Sequence, residues 1–219
     1  MDGLLVDSEP HWRAAERDVF DTVGLILTDD ECKQTTGLPI PAVVEYWYAY
    51  QPWPETPGQT RADVGERITA GAHDRIGRLA EPMPGAIGAL EFFYRRGIPA
   101  AIASASPVSL IELVVDRLRI RNYLTLWHSA TLEARNKPAP DVYLGTARRL
   151  GVQPADCVAF EDSGTGLASA RAAGMRTVAV PADFELGDPK FAPATVILPA
   201  LTHFTEVIFD ALQQTIPEP

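Results

Sequence analysis

Residues 98–106 read Ile-Pro-Ala-Ala-Ile-Ala-Ser-Ala-Ser, a short apolar run that ends in small polar residues. A helix-type pattern over 86–96 comes before it and stops at Gly97, and a second one follows over 108–118. An apolar run of this length between two helices is typical of a strand in a parallel sheet. The stretch therefore predicts an α/β fold.

The same alternation continues towards the C-terminus. The predicted strands lie at 98–103, near 125–129, at 157–160 and at 176–180, and further helices lie at 140–150 and 166–173. Strands that alternate with helices form a parallel sheet covered on both faces. Because ligands of such sheets collect at the carboxyl ends of the strands, the residues just after each strand are the first candidates for a functional site.

The N-terminal part has a different sequence pattern, which predicts helices throughout from Pro10 to about Leu79. Apolar residues recur there at helix spacing, at Trp12, Ala15, Val19 and Val23. A capping box of Thr28 and Glu31 predicts the start of a second helix. A third helix is expected over 42–50, and a fourth from Gln59 towards Leu79 after the proline-rich segment 52–58.

Composition limits the possible classes of protein. The chain has 219 residues with 46% hydrophobic content, which allows one or two domains, and its formal charge of −10 opposes binding to nucleic acid. Only two cysteines are present, Cys32 and Cys157, so neither a disulfide framework nor a cysteine zinc site is indicated. No apolar run is long enough to cross a bilayer, and we expect a cytoplasmic protein without a membrane partner.

Polar residues follow the predicted strands or open the chain at four places. They are Asp2-Gly3, Ser104-Ala105-Ser106, Lys137-Pro138 and Glu161-Asp162-Ser163-Gly164. Taken singly, each has an ordinary reading as a helix cap, a solvated lysine or a turn. Together they supply oxygen ligands for Mg²⁺, a cation and hydroxyl or amide donors, which are the groups that phosphoryl transfer requires.

Four segments resemble, in the same order, the motifs of haloacid-dehalogenase-superfamily phosphatases. They are Asp-Gly-Leu-Leu-Val-Asp-Ser-Glu-Pro at 2–10, Ile-Ala-Ser-Ala-Ser-Pro at 102–107, Asn-Lys-Pro-Ala-Pro-Asp-Val-Tyr at 136–143 and Phe-Glu-Asp-Ser-Gly-Thr-Gly at 160–166. Residues 45–53 and the Ser-Ala-Ser-Pro loop are most similar to bacterial 2-deoxyglucose-6-phosphate and hexitol-phosphate phosphatases, within the beta-phosphoglucomutase-like subfamily. The resemblance implies a Rossmann-like parallel-sheet core, residues 1–9 and 82–219, with an inserted all-helical C1-type cap, residues 10–81.

The resemblance also assigns roles to individual residues. Asp2 would be the general acid and base, and its backbone carbonyl would help to bind Mg²⁺. Phosphoryl oxygens would be held by the Ser104 hydroxyl, by the amides of Ala105 and Ser106 at the start of the next helix, and by Lys137. Asp162 would bind Mg²⁺ directly and Glu161 through water.

The nucleophile of the family is an Asp two positions before Asp2, which would lie immediately before Met1. The run Leu4-Leu5-Val6 is also short for a central strand, since strands usually span about five or six residues. We therefore expect that residues before Met1 supply the nucleophile, and that the chain as numbered is inactive.

These observations predict a Mg²⁺-dependent phosphomonoester hydrolase that acts on a small sugar or polyol phosphate through an aspartyl-phosphate. One alternative is a non-catalytic phosphometabolite-binding homologue. A sugar-phosphate mutase is a weaker alternative, because the cap loop 36–41 lacks the Arg that binds a second phosphate in mutases. The mutase His aligns with Trp12, and His11 lies one position away. Neither the metabolite nor the oligomeric state is predicted.

Overall fold

A computed structural model describes residues 1–36 and 38–215. The chain divides into two compact units. The core unit consists of Met1–Asp7 and Glu81–Pro219, and the helical unit consists of Ser8–Ala80. Gly37, in the loop where mutases carry their Arg, lies outside the described residues.

The helical unit contains the helices α1 (Glu9–Asp21), α2 (Asp29–Cys32), α3 (Ile40–Tyr50) and α4 (Arg61–Leu79). The capping box of Thr28 and Glu31 opens α2 as expected, and a second one, Thr60 with Asp63, opens α4. Because Thr60 accepts a hydrogen bond from the Asp63 amide and has extended backbone angles, α4 starts two residues later than the pattern from Gln59 predicts.

Apolar side chains of all four helices form the interior of this unit. Helix α4 presents buried residues at successive turns, Val64, Ile68, Ala72 and Ile76, and packs against α1 and α3. Of the aromatic residues at the end of α3 and just beyond it, Trp47 and Trp53 are buried, whereas Tyr50 is 69% exposed. The aromatic residues of this segment are therefore divided between the interior and the surface.

The core unit alternates strands and helices. Its elements are α5 (Ala86–Arg95), β1 (Ala101–Ser104), α6 (Val108–Arg117), β2 (Leu126–Ser129), α7 (Asp141–Leu150), β3 (Val158–Glu161), α8 (Gly164–Ala172), β4 (Arg176–Ala179), β5 (Val196–Ile197) and α9 (Glu206–Gln214). Each of the four predicted strands is shorter than expected or is shifted by a few residues, and β5 was not predicted. Within the described ranges, no helix is both long enough and apolar enough to span a membrane.

All strand pairs in this unit are parallel, which confirms the predicted α/β class. The expectation of a single sheet is wrong for the described residues: β1 pairs with β2 in one sheet, and β3, β4 and β5 form another. A pocket with a volume of about 490 Å³ is lined by residues of both β1 and β3. Its lining includes Ile102 and Ala103 from β1 and Ala159 and Phe160 from β3.

Candidate active site

Asp2 lies in a tight turn at the start of the chain. The Gly3 amide donates to the Val6 carbonyl at 2.9 Å, and Asp2 and Val6 form an isolated bridge. One Asp2 carboxylate oxygen, Oδ2, accepts a hydrogen bond from the Ser106 hydroxyl at 2.6 Å. The other oxygen, Oδ1, is buried without a partner among the described residues. The two oxygens of the Asp2 carboxylate therefore differ in their surroundings.

The segment after β1 differs in detail from the predicted phosphate-binding loop. Helix α6 begins at Val108, as predicted, and the amides of Ala105 and Ser106 lie just before its first turn. The Ser106 amide donates to the Ser104 hydroxyl oxygen at 3.1 Å, because the Ser104 side chain folds back on the chain just after the strand. The binding of phosphate by these two amides stays a prediction.

Lys137 reaches the ends of both sheets. Its ammonium group donates to the Glu161 carboxylate at 2.5 Å and to the Ala103 carbonyl at 3.2 Å, and only 10% of its side chain is exposed. The peptide bond between Lys137 and Pro138 is cis. Lys137 therefore joins the last residue of β3 to the end of β1.

Glu161 also accepts a hydrogen bond from the Tyr143 hydroxyl, which projects from the first turn of α7. Burial raises the pKa of Tyr143 well above its usual value, so the phenol keeps its proton and acts as a donor. A side chain on Gly166, in the first turn of α8, would overlap the Glu161 carboxylate. The glycine at this position thus leaves room for the acidic side chain.

Asp162 follows Glu161 and approaches the turn that carries Asp2. Its carboxylate lies where a side chain on Gly3 would be, and Gly3 has a φ of +67°, which favours glycine. Burial raises the pKa of the Asp162 carboxyl above its ordinary value, and the neighbouring Glu161 charge adds to the effect. A bound cation would relieve this cost of burying a carboxylate.

The sequence-predicted residues therefore come together at one place in the core unit. Asp2 accepts a hydrogen bond from Ser106, which in turn contacts Ser104. Lys137 contacts both Ala103 and Glu161. Asp162 lies against Gly3, next to Asp2. Ala105, the remaining predicted residue, is exposed beside this group. Sequence reasoning gave no role to the Ser106 hydroxyl or to Tyr143. The only signal for Tyr143 is its position in the third motif, six residues after Lys137.

A magnesium ion needs several oxygen ligands at one place. No group of three His, Cys, Asp or Glu residues is placed to hold a metal in the part of the chain that the structure describes. The Glu161 carboxylate is engaged by Lys137 and Tyr143, whereas Asp162 and the backbone around Asp2 offer oxygen atoms at one location. Oxygen donors are the ligands that Mg²⁺ prefers, so these residues fit the ion as a partial ligand set.

Comparison with known proteins identifies relatives over nearly the whole chain. Residues 1–180 match the family model for haloacid dehalogenase-like hydrolases. The chain is 41% identical to hexitol phosphatase B of Escherichia coli strain K12 over 206 residues, 94% of this chain and 91% of that protein. It is 31% identical to the fructose-1-phosphate phosphatase of the same strain, over 82% of this chain and 93% of the relative.

Solved structures give the same result for the fold. The crystal structure of CbbY from Rhodobacter sphaeroides in complex with phosphate superposes with a TM-score of 0.77 at 24% identity, covering 93% of this chain and 92% of that one. At this identity the likeness concerns the fold alone. Since the family model spans most of the chain, the protein belongs to the haloacid dehalogenase-like hydrolase family.

Proposed function

We propose that this protein is a Mg²⁺-dependent phosphatase that hydrolyses the monoester of a small sugar or polyol phosphate. The observation that carries the proposal is the convergence of Asp2, Ser104, Lys137, Glu161 and Asp162 at the ends of β1 and β3. The names of hexitol phosphatase B and fructose-1-phosphate phosphatase support this class of substrate. Residues 10–81 would act as the cap that excludes water and contacts the sugar part.

Charge neutralisation is the first task of the site. A phosphate monoester is an anion, and it would approach two carboxylates, Glu161 and Asp162. Lys137 opposes this repulsion, because its ammonium group lies beside Glu161 and is largely shielded from water. The Ser104 hydroxyl oxygen already accepts the Ser106 amide, so its proton is free to hydrogen-bond a phosphoryl oxygen.

The metal would be held by the Asp162 carboxylate and the Asp2 backbone carbonyl, with Glu161 acting through water. When bound, Mg²⁺ would offset the charge of the phosphoryl group and of the nearby carboxylates. Burial raises the pKa of the Asp162 carboxyl, so its ionised form would gain from such a partner.

Proton transfer is assigned to Asp2. The leaving ester oxygen takes the electron pair of the breaking P–O bond and needs a proton, which the Asp2 carboxyl donates. In the second step the same carboxylate accepts a proton from the attacking water. Because Asp2 is held by Ser106 through Oδ2, its other oxygen faces this task without a competing protein partner.

The nucleophile is proposed to be an Asp immediately before Met1, which would form the aspartyl-phosphate. The cavity between β1 and β3 supports this proposal, because Met1 and Leu5 line it together with residues of both strands. A strand that entered the cavity and ended at Met1 would bring the preceding side chain towards Lys137 and Ser104. The chain that starts at Met1 would then lack phosphatase turnover.

The proposal is tested with three proteins: the chain from Met1, the chain extended by an apolar segment of about five residues ending in Asp, and the same extension ending in Asn. Hexitol and sugar phosphates are screened with and without Mg²⁺. Only the Asp extension should release phosphate, and only with the metal. The other two should be slower by several orders of magnitude, because the covalent route is lost.

Two outcomes would contradict different parts of the proposal. If the chain from Met1 turns over substrate as fast as the Asp extension, the nucleophile assignment is wrong. If none of the three proteins releases phosphate but hexitol phosphate binds in calorimetry, the chain is a phosphometabolite-binding protein and not a phosphatase.

A further inference from the structure

Ser106 is held at three points by its surroundings. Its amide donates to the Ser104 hydroxyl oxygen at 3.1 Å, and its carbonyl accepts the Ser129 hydroxyl at 2.7 Å. Ser104 and Ser129 are the last residues of β1 and β2 and are paired in register. The position of the Ser106 side chain is therefore fixed by two adjacent strands of one sheet.

The remaining hydrogen bond of Ser106 connects this rigid position to Asp2. The hydroxyl donates to Asp2 Oδ2 at 2.6 Å, within the normal range for a bond to a carboxylate. Asp2 Oδ1 is buried and without a partner among the described residues. A buried carboxylate oxygen without a hydrogen bond is costly, and a catalytic role is one explanation for such an atom. The two oxygens of Asp2 are thus distinguished by their surroundings.

We infer that Ser106 is a positioning residue for proton transfer: by occupying Oδ2, it fixes Oδ1 as the atom that serves the substrate. This rests on the proposed phosphatase function and on the role of Asp2 within it. In the first step the Oδ1–H bond breaks and the proton goes to the leaving ester oxygen as the P–O bond breaks. In the second step Oδ1 accepts a proton from water, and the Ser106 hydroxyl donates to Oδ2 throughout.

The inference predicts an effect that depends on the leaving group. A sugar or hexitol alkoxide is a poor leaving group and needs the proton, whereas p-nitrophenolate leaves readily without one. Ser106→Ala should lower kcat/KM for hexitol phosphate about 10- to 100-fold, a part of the usual contribution of general acid catalysis, because kcat/KM reports the first step, in which the leaving group departs. The loss with p-nitrophenyl phosphate should be at least several-fold smaller.

Two further variants separate positioning from other roles. Ser106→Thr keeps a hydroxyl at this place and should recover most of the kcat/KM for hexitol phosphate. Lys137→Ala removes a cation that would face the phosphoryl group, which both substrates share, and its contacts are with Ala103 and Glu161 and not with Ser106, so its losses should be similar for the two. The variants are made in whichever form of the chain turns over substrate in the screen described above, and their melting temperatures are compared with that of the unsubstituted chain.

The outcomes are distinguishable. If the unsubstituted chain hydrolyses neither substrate in any form, the proposed function fails and this inference fails with it. If it hydrolyses both, but Ser106→Ala loses equal factors in kcat/KM on both substrates or loses nothing, the positioning role alone is overturned. A Thr variant that melts normally and is no faster than the Ala variant would also overturn it.

Discussion

Glu16 is an acidic residue in the interior of the helical unit, on the face of α1 that also carries Ala15 and Val19. It is only 6% exposed, and its Oε2 atom has no partner among the described residues. Burial raises the pKa of this carboxyl to about 7, while a hydrogen bond with Cys32 acts in the opposite direction. The folded protein therefore keeps a proton on Glu16 under conditions in which the unfolded chain has lost it.

This difference makes the stability of the helical unit depend on pH. Folding raises the pKa of Glu16. Its contribution to the free energy of unfolding is therefore most favourable below the unfolded pKa of 4.5 and is lost as the pH rises to about 7. At about 1.4 kcal/mol per pH unit, the loss is on the order of 3 kcal/mol. Glu16→Gln should remove this dependence and raise the free energy of unfolding at pH 8.

The measurement is urea unfolding at pH 5 and pH 8. The matched control is Glu112→Gln, which changes an exposed glutamate of α6 and should follow the unsubstituted protein. Equal pH dependence in the Glu16 variant and in the control would show that Glu16 is ionised in the folded state.

At the level of single residues, the sequence predicted which side chains meet but not what each one contacts. Ser104 and Glu161 are the last residues of β1 and β3, and Lys137, in the loop between β2 and α7, contacts Ala103 of β1 and Glu161 of β3. The partners of Lys137 and of the Ser106 hydroxyl depend on backbone turns between elements. The return of the Ser106 amide to Ser104 is such a turn, and no periodic pattern in the sequence encodes it.

The start of helix α4 is set by the capping box of Thr60 and Asp63. The Thr60 hydroxyl oxygen accepts the Asp63 amide at 3.2 Å, and the Asp63 carboxylate accepts the Thr60 amide at 3.0 Å. Thr60→Ala should lower the free energy of unfolding by about 1 kcal/mol, because amides of the first turn lose their acceptor. The buried face of α4 remains unchanged, so the loss comes from the helix terminus.

Thr69→Ala is the control for this prediction. Thr69 lies in the middle of α4, where its hydroxyl bonds the Gly65 carbonyl, and alanine has the higher helix propensity. The control should be neutral or slightly stabilising in urea unfolding followed by circular dichroism. If both variants lose the same stability, the capping box of α4 contributes nothing specific.

Element boundaries were predictable where a cap or an apolar period marks them, and less so elsewhere. Helix α8 starts at Gly164, two residues before the predicted 166, because the Ser163 hydroxyl oxygen accepts the Gly166 amide as a cap. Strand β5 has only two residues, so it contains no alternation of apolar and polar residues that the sequence could reveal. Helix α9 was not predicted, although its residues pack on the interior of the core unit through Leu212.

At the level of the core unit, the division into two sheets is the feature that needs explanation. Among the described residues, β1 pairs only with β2, and β3 pairs with β4. Each therefore has one edge without a strand partner, and backbone groups at a buried edge are costly without hydrogen bonds. The cavity of about 490 Å³ between them has an apolar lining that includes Leu4, Leu5 and Phe160. Protein interiors rarely leave such a volume empty.

Filling this cavity should therefore raise stability independently of catalysis. An apolar strand in this space would cover the apolar side chains that line it and could pair the free edges of β1 and β3. The extensions ending in Asp and in Asn should both melt well above the chain from Met1, because each adds an apolar strand between β1 and β3.

A Gly/Ser extension of equal length is the matched control, since it buries no apolar surface and should change the melting temperature little. If the Gly/Ser extension stabilises as much as the apolar ones, or if none of them raises the melting temperature, the cavity does not accept a strand at this end of the chain. Thermal unfolding measured alongside the activity screen then separates the fold from the chemistry, because the Asn extension should regain stability without turnover.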